Sequence, residues 1–499
     1  MAALAFATMS QAAQAQVAGG FTLMPTFSAE ESYLETRSRT NGDNGREAIT
    51  RVAPGLRISS RSGSVQGSLD YSGSLYYRIG GEESRSREFR NSLTASFLAE
   101  AVPGRVYLDT RASISQQTLL AFGQQSMVNS LQHNDNRTEV STLTLSPYLR
   151  GPLGSFASYE ARLNATATDS RDPTGADTRS GGGSLSLRSA RGGALLGWGL
   201  SASQQRTVFR GSNPSTVDNG RVDARLYFTP NPELQFSLTG GRESVDDGGG
   251  ASGSRDSNTT GLGFRWAPSP RTSLSVDLME RFFGRSNRVS FMHRSPRTIW
   301  TYSLVRDTTT GADAFVLGQP MTLFQLMYEQ LASAIPDAAT REQFVLAQLA
   351  AQGQDPNQSI ALRFLTSSYS VQRRQDLSMA WMGLRTTFSA QAYTTSQSRI
   401  VTISGGEPTF GEPTKQTGYS STLSYRLTPT TTVGLGGSRL MTNATSTNPG
   451  TDLKSANANL TSRLGRRTSG QLGARYTVFN SRTDPYRETS VTASLSLRY

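Results

Sequence analysis

Residues 491–499 read Val-Thr-Ala-Ser-Leu-Ser-Leu-Arg-Tyr, and the fold turns on this stretch. Val491, Ala493, Leu495, Leu497 and Tyr499 alternate with Thr492, Ser494, Ser496 and Arg498. Side chains of a strand point to opposite faces in turn, so this segment meets an apolar medium on one side and a polar one on the other. A sheet edge in a water-soluble protein would satisfy it, and so would the closing strand of a membrane barrel. The rest of the chain decides between them.

The same alternation recurs along the sequence. In 105–112, Val106, Leu108, Thr110 and Ala112 oppose Arg105, Tyr107, Asp109 and Arg111. In 221–228, Val222, Ala224, Leu226 and Phe228 oppose Arg221, Asp223 and Arg225. Ala157, Tyr159, Ala161 and Leu163 form another apolar row, interleaved with Glu160 and Arg162. Leu234, Phe236 and Leu238 make a further row, as do Leu262, Phe264 and Trp266. A sandwich would bury the apolar faces against each other. A membrane barrel turns them out to lipid and lines a wet lumen with the polar faces, which makes Arg105, Asp109, Arg111, Glu160, Arg162, Arg221, Asp223 and Arg225 lumen-facing.

The connections favour the barrel. Short turns rich in Pro and Gly fall near 61, 102, 151, 191, 229, 268, 295, 384, 429 and 466, and long polar stretches such as 170–182 and 245–257 lie between them. Tight turns at one rim and long loops at the other are the outer-membrane pattern. Ten hairpins plus the first and last strands predict an all-β fold: one transmembrane antiparallel barrel of about 22 strands. An even count puts both termini on the periplasmic side, and 491–499 becomes the closing strand. Its Leu495, Leu497 and terminal Tyr499 resemble the signal by which barrel-assembly machinery recognises its clients.

Composition agrees. Hydrophobic residues make up 35% of the 499, and mean hydropathy is −0.42, low for a globular core. Yet 21 Phe, 17 Tyr and 4 Trp are too many for a disordered chain. No run of 18 apolar residues offers a membrane helix. Residues 1–15 end in Ala13-Gln14-Ala15 after a short apolar stretch, as a secretory signal does, although no basic residue precedes it. The expected boundaries are therefore a signal peptide over 1–15, truncated at its start, and a barrel over 16–499. Only some five residues would separate Gln16 from the first strand, so no N-terminal plug is expected. Trp198, Trp266, Trp300 and Trp381 each lie near a short turn and form an aromatic girdle at the periplasmic interface.

One segment departs from alternation. In 321–353, Leu323, Leu326 and Leu331 sit at helical spacing, Pro336 interrupts, and Phe344 and Leu349 resume it before Gly353. This predicts a helical hairpin within an insert spanning 311–360, leaving from the extracellular rim. A lumen this wide needs an obstruction, so the insert is expected to fold inward as its gate or plug, or outward as a cap over the mouth.

Around the insert, RFFGRSNRVSFMHRSPRTIWTYSLVRDTTT (281–310), YEQLASAIPD and VQRRQDLSMAWMG (371–383) resemble a family of outer-membrane β-barrels. That family is associated with the PEP-CTERM/exosortase protein-sorting system and with exopolysaccharide loci. It has no established catalytic residues, so the resemblance implies context alone: the envelope of a polysaccharide-producing Gram-negative cell.

Catalytic chemistry finds no support. The chain has no cysteine and only His133 and His293, the latter in a hairpin-end HRSPR sequence. No nucleophile elbow, metal-ligand cluster or phosphate loop stands out. No enzyme and no cofactor are expected. The net charge of +12 arises almost wholly from Arg, only Lys415 and Lys454 being lysine. Dispersal through the strands and an export signal argue against nucleic acid, and favour anionic solutes, lipopolysaccharide or an anionic polysaccharide as partners. Three functions follow: a channel or accessory barrel for exopolysaccharide or other envelope material; a general or anion-preferring porin; or a structural, adhesive barrel without flux.

Overall fold

In the computed structural model the described residues are 17–498 except 19, 39–43, 61–62, 81–84, 128–130, 132–133, 173–176, 191–194, 211–213, 247–253, 311–327, 329–340, 342–344, 346–367, 403–408, 466 and 483. The strands run in order β1 (Val17–Ala18), β2 (Phe21–Ser38), β3 (Asn44–Ser60), β4 (Val65–Gly80), β5 (Arg85–Val102), β6 (Val106–Thr118), β7 (Arg137–Leu153) and β8 (Ala157–Ser170). They continue as β9 (Asp177–Ser189), β10 (Leu196–Arg210), β11 (Ser215–Asn231), β12 (Leu234–Asp246), β13 (Ser254–Ser269), β14 (Thr272–Arg281), β15 (Gly284–Arg294) and β16 (Thr298–Thr309). The last are β17 (Ser370–Met382), β18 (Thr386–Thr402), β19 (Thr409–Phe410), β20 (Thr414–Arg426), β21 (Thr431–Thr442), β22 (Thr451–Arg463), β23 (Thr468–Asn480) and β24 (Tyr486–Arg498).

Apart from the two-residue β1 and β19, each strand pairs antiparallel with the next, and the ring closes where β24 meets β2, Val491 opposite Tyr33. The result is a closed antiparallel barrel of 22 strands. Closure leaves no free edge, and it satisfies every ladder N–H and C=O within the sheet, which a lipid environment demands.

Residues directly opposite in an antiparallel pair share a face, so the register sorts the side chains. Trp198, Leu226, Leu238, Leu262 and Leu278 form one lateral row across β10–β14. Leu196, Phe228, Phe236, Phe264 and Val276 form the next row towards the short-turn rim. Leu226 and Leu262 are 61% and 63% exposed, as apolar residues facing lipid must be. Along β11 the band runs from Val222 to Phe228, about 20 Å of strand, close to the roughly 25 Å apolar belt of membrane barrels. Beyond it, on the same outward face, Arg242 meets Asp256 at 2.8 Å and Arg206 lies 3.9 Å from Asp218. The strands therefore outrun the apolar belt on that side.

Antiparallel order sorts the connections onto two rims. At one rim they are short, as in 103–105, 154–156, 232–233, 270–271 and 383–385. Gly104 and Gly154, with φ of 71° and 62°, supply the left-handed residue that two of these turns need. At the other rim lie 119–136, 247–253, 310–369 and 443–450. The strands reach further into the polar stretches than composition suggests: 177–182 and 254–257 are ladder-paired, because register extends pairing past the belt. The helical hairpin expected over 311–360 is not among the described elements. Leu323, Leu326, Leu331, Pro336, Phe344 and Leu349 lie outside the described residues, as does Tyr499; within the insert only Tyr328, Arg341 and Val345 are described, each with helical backbone.

Candidate functional site

The face opposite the apolar belt carries the charged residues. Arg221 pairs with Asp223 at 2.6 Å, Arg162 with Glu160 at 3.2 Å, and Arg111 with Asp109 at 3.1 Å. In each pair the partners are two residues apart on one strand, where side chains project from the same face. Other inward pairs join neighbouring strands, as Arg51 does with Glu30 at 3.3 Å and Arg78 with Glu47 at 3.1 Å. The same holds nearby: Arg225 donates to Thr239 Oγ1 at 3.0 Å and lies 3.9 Å from Asp277, and Thr259 donates to Asp223 at 2.9 Å. Arg105 is not on the wall. Its N–H bonds Val102 O at 3.0 Å, so it closes the turn behind Gly104 and stays exposed at the rim.

All four tryptophans lie near the short-turn rim on the apolar face. Trp198 opposes Leu226, Trp266 opposes Leu234 and Leu274, Trp300 opposes Met379, and Trp381 opposes Phe388. Leu495 and Leu497 share the face of the exposed Val491 on β24, opposite Ala29 and Phe27.

The largest departure from expectation is the connection 119–136. It leaves the long-loop rim after β6 and folds into the lumen. Its base is tied by Asn136: Leu119 N–H donates to Asn136 O at 2.9 Å and Leu120 N–H to Asn136 Oδ1 at 2.7 Å, while Asn136 Nδ2 donates to Leu120 O at 2.8 Å and to Gln124 O at 3.0 Å. Asn134 Nδ2 adds bonds to Gln124 O and Ser126 Oγ, both at 3.1 Å. The tip then reaches strands far round the ring. Tyr486 of β24 donates to Gln125 O at 2.7 Å, Thr442 of β21 to Ala121 O at 3.3 Å, and Ser438 of β21 lies 3.6 Å from Met127 Sδ. Met127 packs against Tyr393, Leu440, Leu453, Phe479 and Tyr486, and Leu131 packs against Leu34, Ile49 and Tyr76. Between β6 and β21 stand β5, β4, β3, β2, β24, β23 and β22, so the segment bridges the interior. Gln125 is 2% exposed there, its amide donating to Thr442 Oγ1 at 3.4 Å.

No protein-family model matches the chain, and no curated sequence does. Solved structures do match in fold. The FrpB iron transporter from Neisseria meningitidis superposes with a TM-score of 0.50 at 11% identity, over 95% of this chain and 82% of that one. The ferric-catecholate import receptor Fiu from E. coli K12 gives 0.45 at 10% identity, over 95% and 81%, and OccK5 (OpdH) from Pseudomonas aeruginosa gives 0.33 at 11%, over 96% and 98%. The fold is that of the outer-membrane barrels.

A second part of the barrel mouth is also filled. Phe209, Val217, Val245, Phe282, Phe283, Tyr369, Val371 and Ile400 form a buried cluster at the long-loop end of β10–β18. Phe282 stacks on Tyr369 at 6.3 Å, and burial pushes the Tyr369 phenol well above its ordinary range. Beside it Glu243 is fully buried and Arg281 is 6% exposed; Arg281 Nε donates to Glu243 at 3.0 Å and its other nitrogens bond Glu243 and Asp307. Buried charges persist only when neutralised, and two carboxylates hold this guanidinium. Among the described residues no group of His, Asp or Glu converges to hold a metal; His293 Nδ1 meets Thr272 Oγ1 at 2.9 Å, and His133 lies outside the described residues.

Reading by alternation missed both the inward loop and this network. The loop has no strand or helix period, and most of its partners are hundreds of residues away. Arg281, Glu243 and Asp307 come from three strands, and no local spacing joins them. The signal that was present is the interruption itself: 119–136 carries four Asn or Asp residues and a Gly where a membrane hairpin needs only a turn.

Proposed function

We propose that this chain is a gated, anion-preferring channel of the outer membrane, whose lumen is narrowed at its external mouth by the segment 119–136. The observation that carries the reading is the bridge from Gln125 and Met127 to β21 and β24, which occupies space an open porin leaves to water. Inward Arg residues would draw anionic solutes into the wider, short-turn end. On this reading both termini face the periplasm, the outward Arg–Asp pairs above the apolar belt meet lipopolysaccharide, and Leu495 and Leu497 belong to the strand received by the assembly machinery. Export of exopolysaccharide or other envelope material is the cargo suggested by the resemblance at 281–383.

The insert 311–360 shares the gating role. Arg341 stacks on Tyr328 with its guanidinium 4.1 Å from the ring centroid. In one straight helix these residues would stand about 20 Å apart, so Tyr328 and Arg341 do not belong to one straight helix.

Deleting 311–360 tests this. Single-channel conductance of the refolded protein should rise several-fold, and cells carrying the deletion should become sensitive to large antibiotics while the barrel still assembles. Unchanged conductance and resistance would remove the insert from the gate. A protein that passes no ions with or without it would favour a structural, adhesive barrel.

A further inference from the structure

At the short-turn end of the lumen the wall between β8 and β11 is hollow. The inward positions of β9 and β10 there are Ser184, Ser186, Gly199, Ser201 and Ser203, none larger than a hydroxymethyl group. On one side stand Arg150 and Glu160, and on the other Asp223, Arg225 and Tyr227. Arg188 closes the end nearest the rim. Strands lie about 4.8 Å apart, so the span from β8 to β11 is roughly 14 Å. The recess holds about 670 Å³, within the roughly 300–1,000 Å³ of sites that take small organic ligands.

The chemistry of its walls is selective. Arg150 and Arg188 form no ion pair among the described residues. Arg150 is held by Tyr107, donating to its hydroxyl at 3.2 Å with the guanidinium 4.6 Å from the ring centroid. Arg188 is held likewise by Tyr227, at 3.1 Å and 5.2 Å. Stacking on tyrosine fixes a guanidinium without neutralising it, so two oriented cations face the recess. Glu160 and Asp223 line the same space, each held by an arginine of its own strand, Arg162 and Arg221, with lone pairs left to accept further hydrogen bonds. A bare phosphate or small carboxylate would be attracted by the arginines and repelled by these acids. A ligand with many hydroxyls and one carboxylate suits both: its hydroxyls donate to Glu160 and Asp223, and its carboxylate takes a forked bond from arginine. The serine and glycine floor brings exposed backbone and hydroxyl groups to such a ligand.

We infer that this recess between β8 and β11 is a binding site for an acidic sugar, a hexuronate unit of a free or polymeric saccharide, entering from the short-turn end. The inference rests on the channel reading for its biological sense, but the site itself needs no flux. It deepens that reading by naming the solute class.

Calorimetric titration of the refolded barrel in detergent, using trigalacturonate with maltotriose and inorganic phosphate as comparison ligands, tests it directly. Trigalacturonate should bind, and maltotriose and phosphate should bind at least about tenfold more weakly. The double variant Arg150→Ala/Arg188→Ala should lose about tenfold or more in affinity for trigalacturonate. Ser201→Trp, which fills the floor while keeping every charge, should abolish binding. Heat-dependent gel mobility confirms that each variant is folded. Equal binding of all three ligands, or unaltered affinity in both folded variants, would overturn the site. Conductance measured on the same samples separates the two readings: binding without conductance would sink the channel and keep the site, and conductance without binding would do the reverse.

Discussion

At the level of single residues, the two media written into 491–499 govern every strand. Leu226 and Arg225 are adjacent in sequence, yet one is exposed on the apolar belt and the other reaches Thr239 and Asp277 across the inner wall. An arginine in place of Leu226 would sit in hydrocarbon near mid-belt, at a cost of about 2–4 kcal/mol. Leu226→Arg should therefore lower folding stability in denaturant titrations into lipid by that amount. Arg225→Ala should cost clearly less, because water in the lumen solvates what remains. Equal losses at the two positions would contradict the assigned faces. This part of the protein was legible in the sequence, since period-two alternation needs no knowledge of neighbours. Arg105 shows where it stops being so: parity puts it on the wall, but the turn geometry at Gly104 takes it off.

At the level of elements, strands and turns were readable and the obstruction was not. A hairpin announces itself through Pro and Gly between alternating runs, as at Val102-Pro103-Gly104. The inward segment 119–136 announces only that something other than a turn is present. What directs it inward is pairing with Thr442, Leu440 and Tyr486, which the linear sequence places more than 300 residues away. Asn136 holds its base through both amide groups and its own carbonyl. Asn136→Ala removes three side-chain hydrogen bonds worth about 0.5–1.5 kcal/mol each, so the population of the displaced segment should rise by at least about tenfold. Single-channel traces should show this as more frequent openings with unchanged full-open amplitude. A trace indistinguishable from the parent would mean that the base of the segment does not control it.

At the level of the whole molecule, the ring of 22 strands follows from the ten short turns, and each of the ten falls where a tight hairpin is found between consecutive strands. What the ring contains was beyond the reach of periodicity: a long-loop end filled by 119–136 and by the buried Arg281–Glu243–Asp307 network, and a short-turn end left hollow between β8 and β11. This asymmetry, an inward loop and a buried cluster at one mouth and a recess at the other, is the property on which the proposed channel depends. It is tested most directly by the single-channel conductance of a barrel in which residues 121–134 are replaced by a short Gly-Ser linker, compared with the parent protein in the same bilayer. The structure predicts a several-fold higher conductance with anion preference retained, because the inner-wall arginines are untouched. A shortened barrel that assembles and conducts no more than the parent would contradict the account.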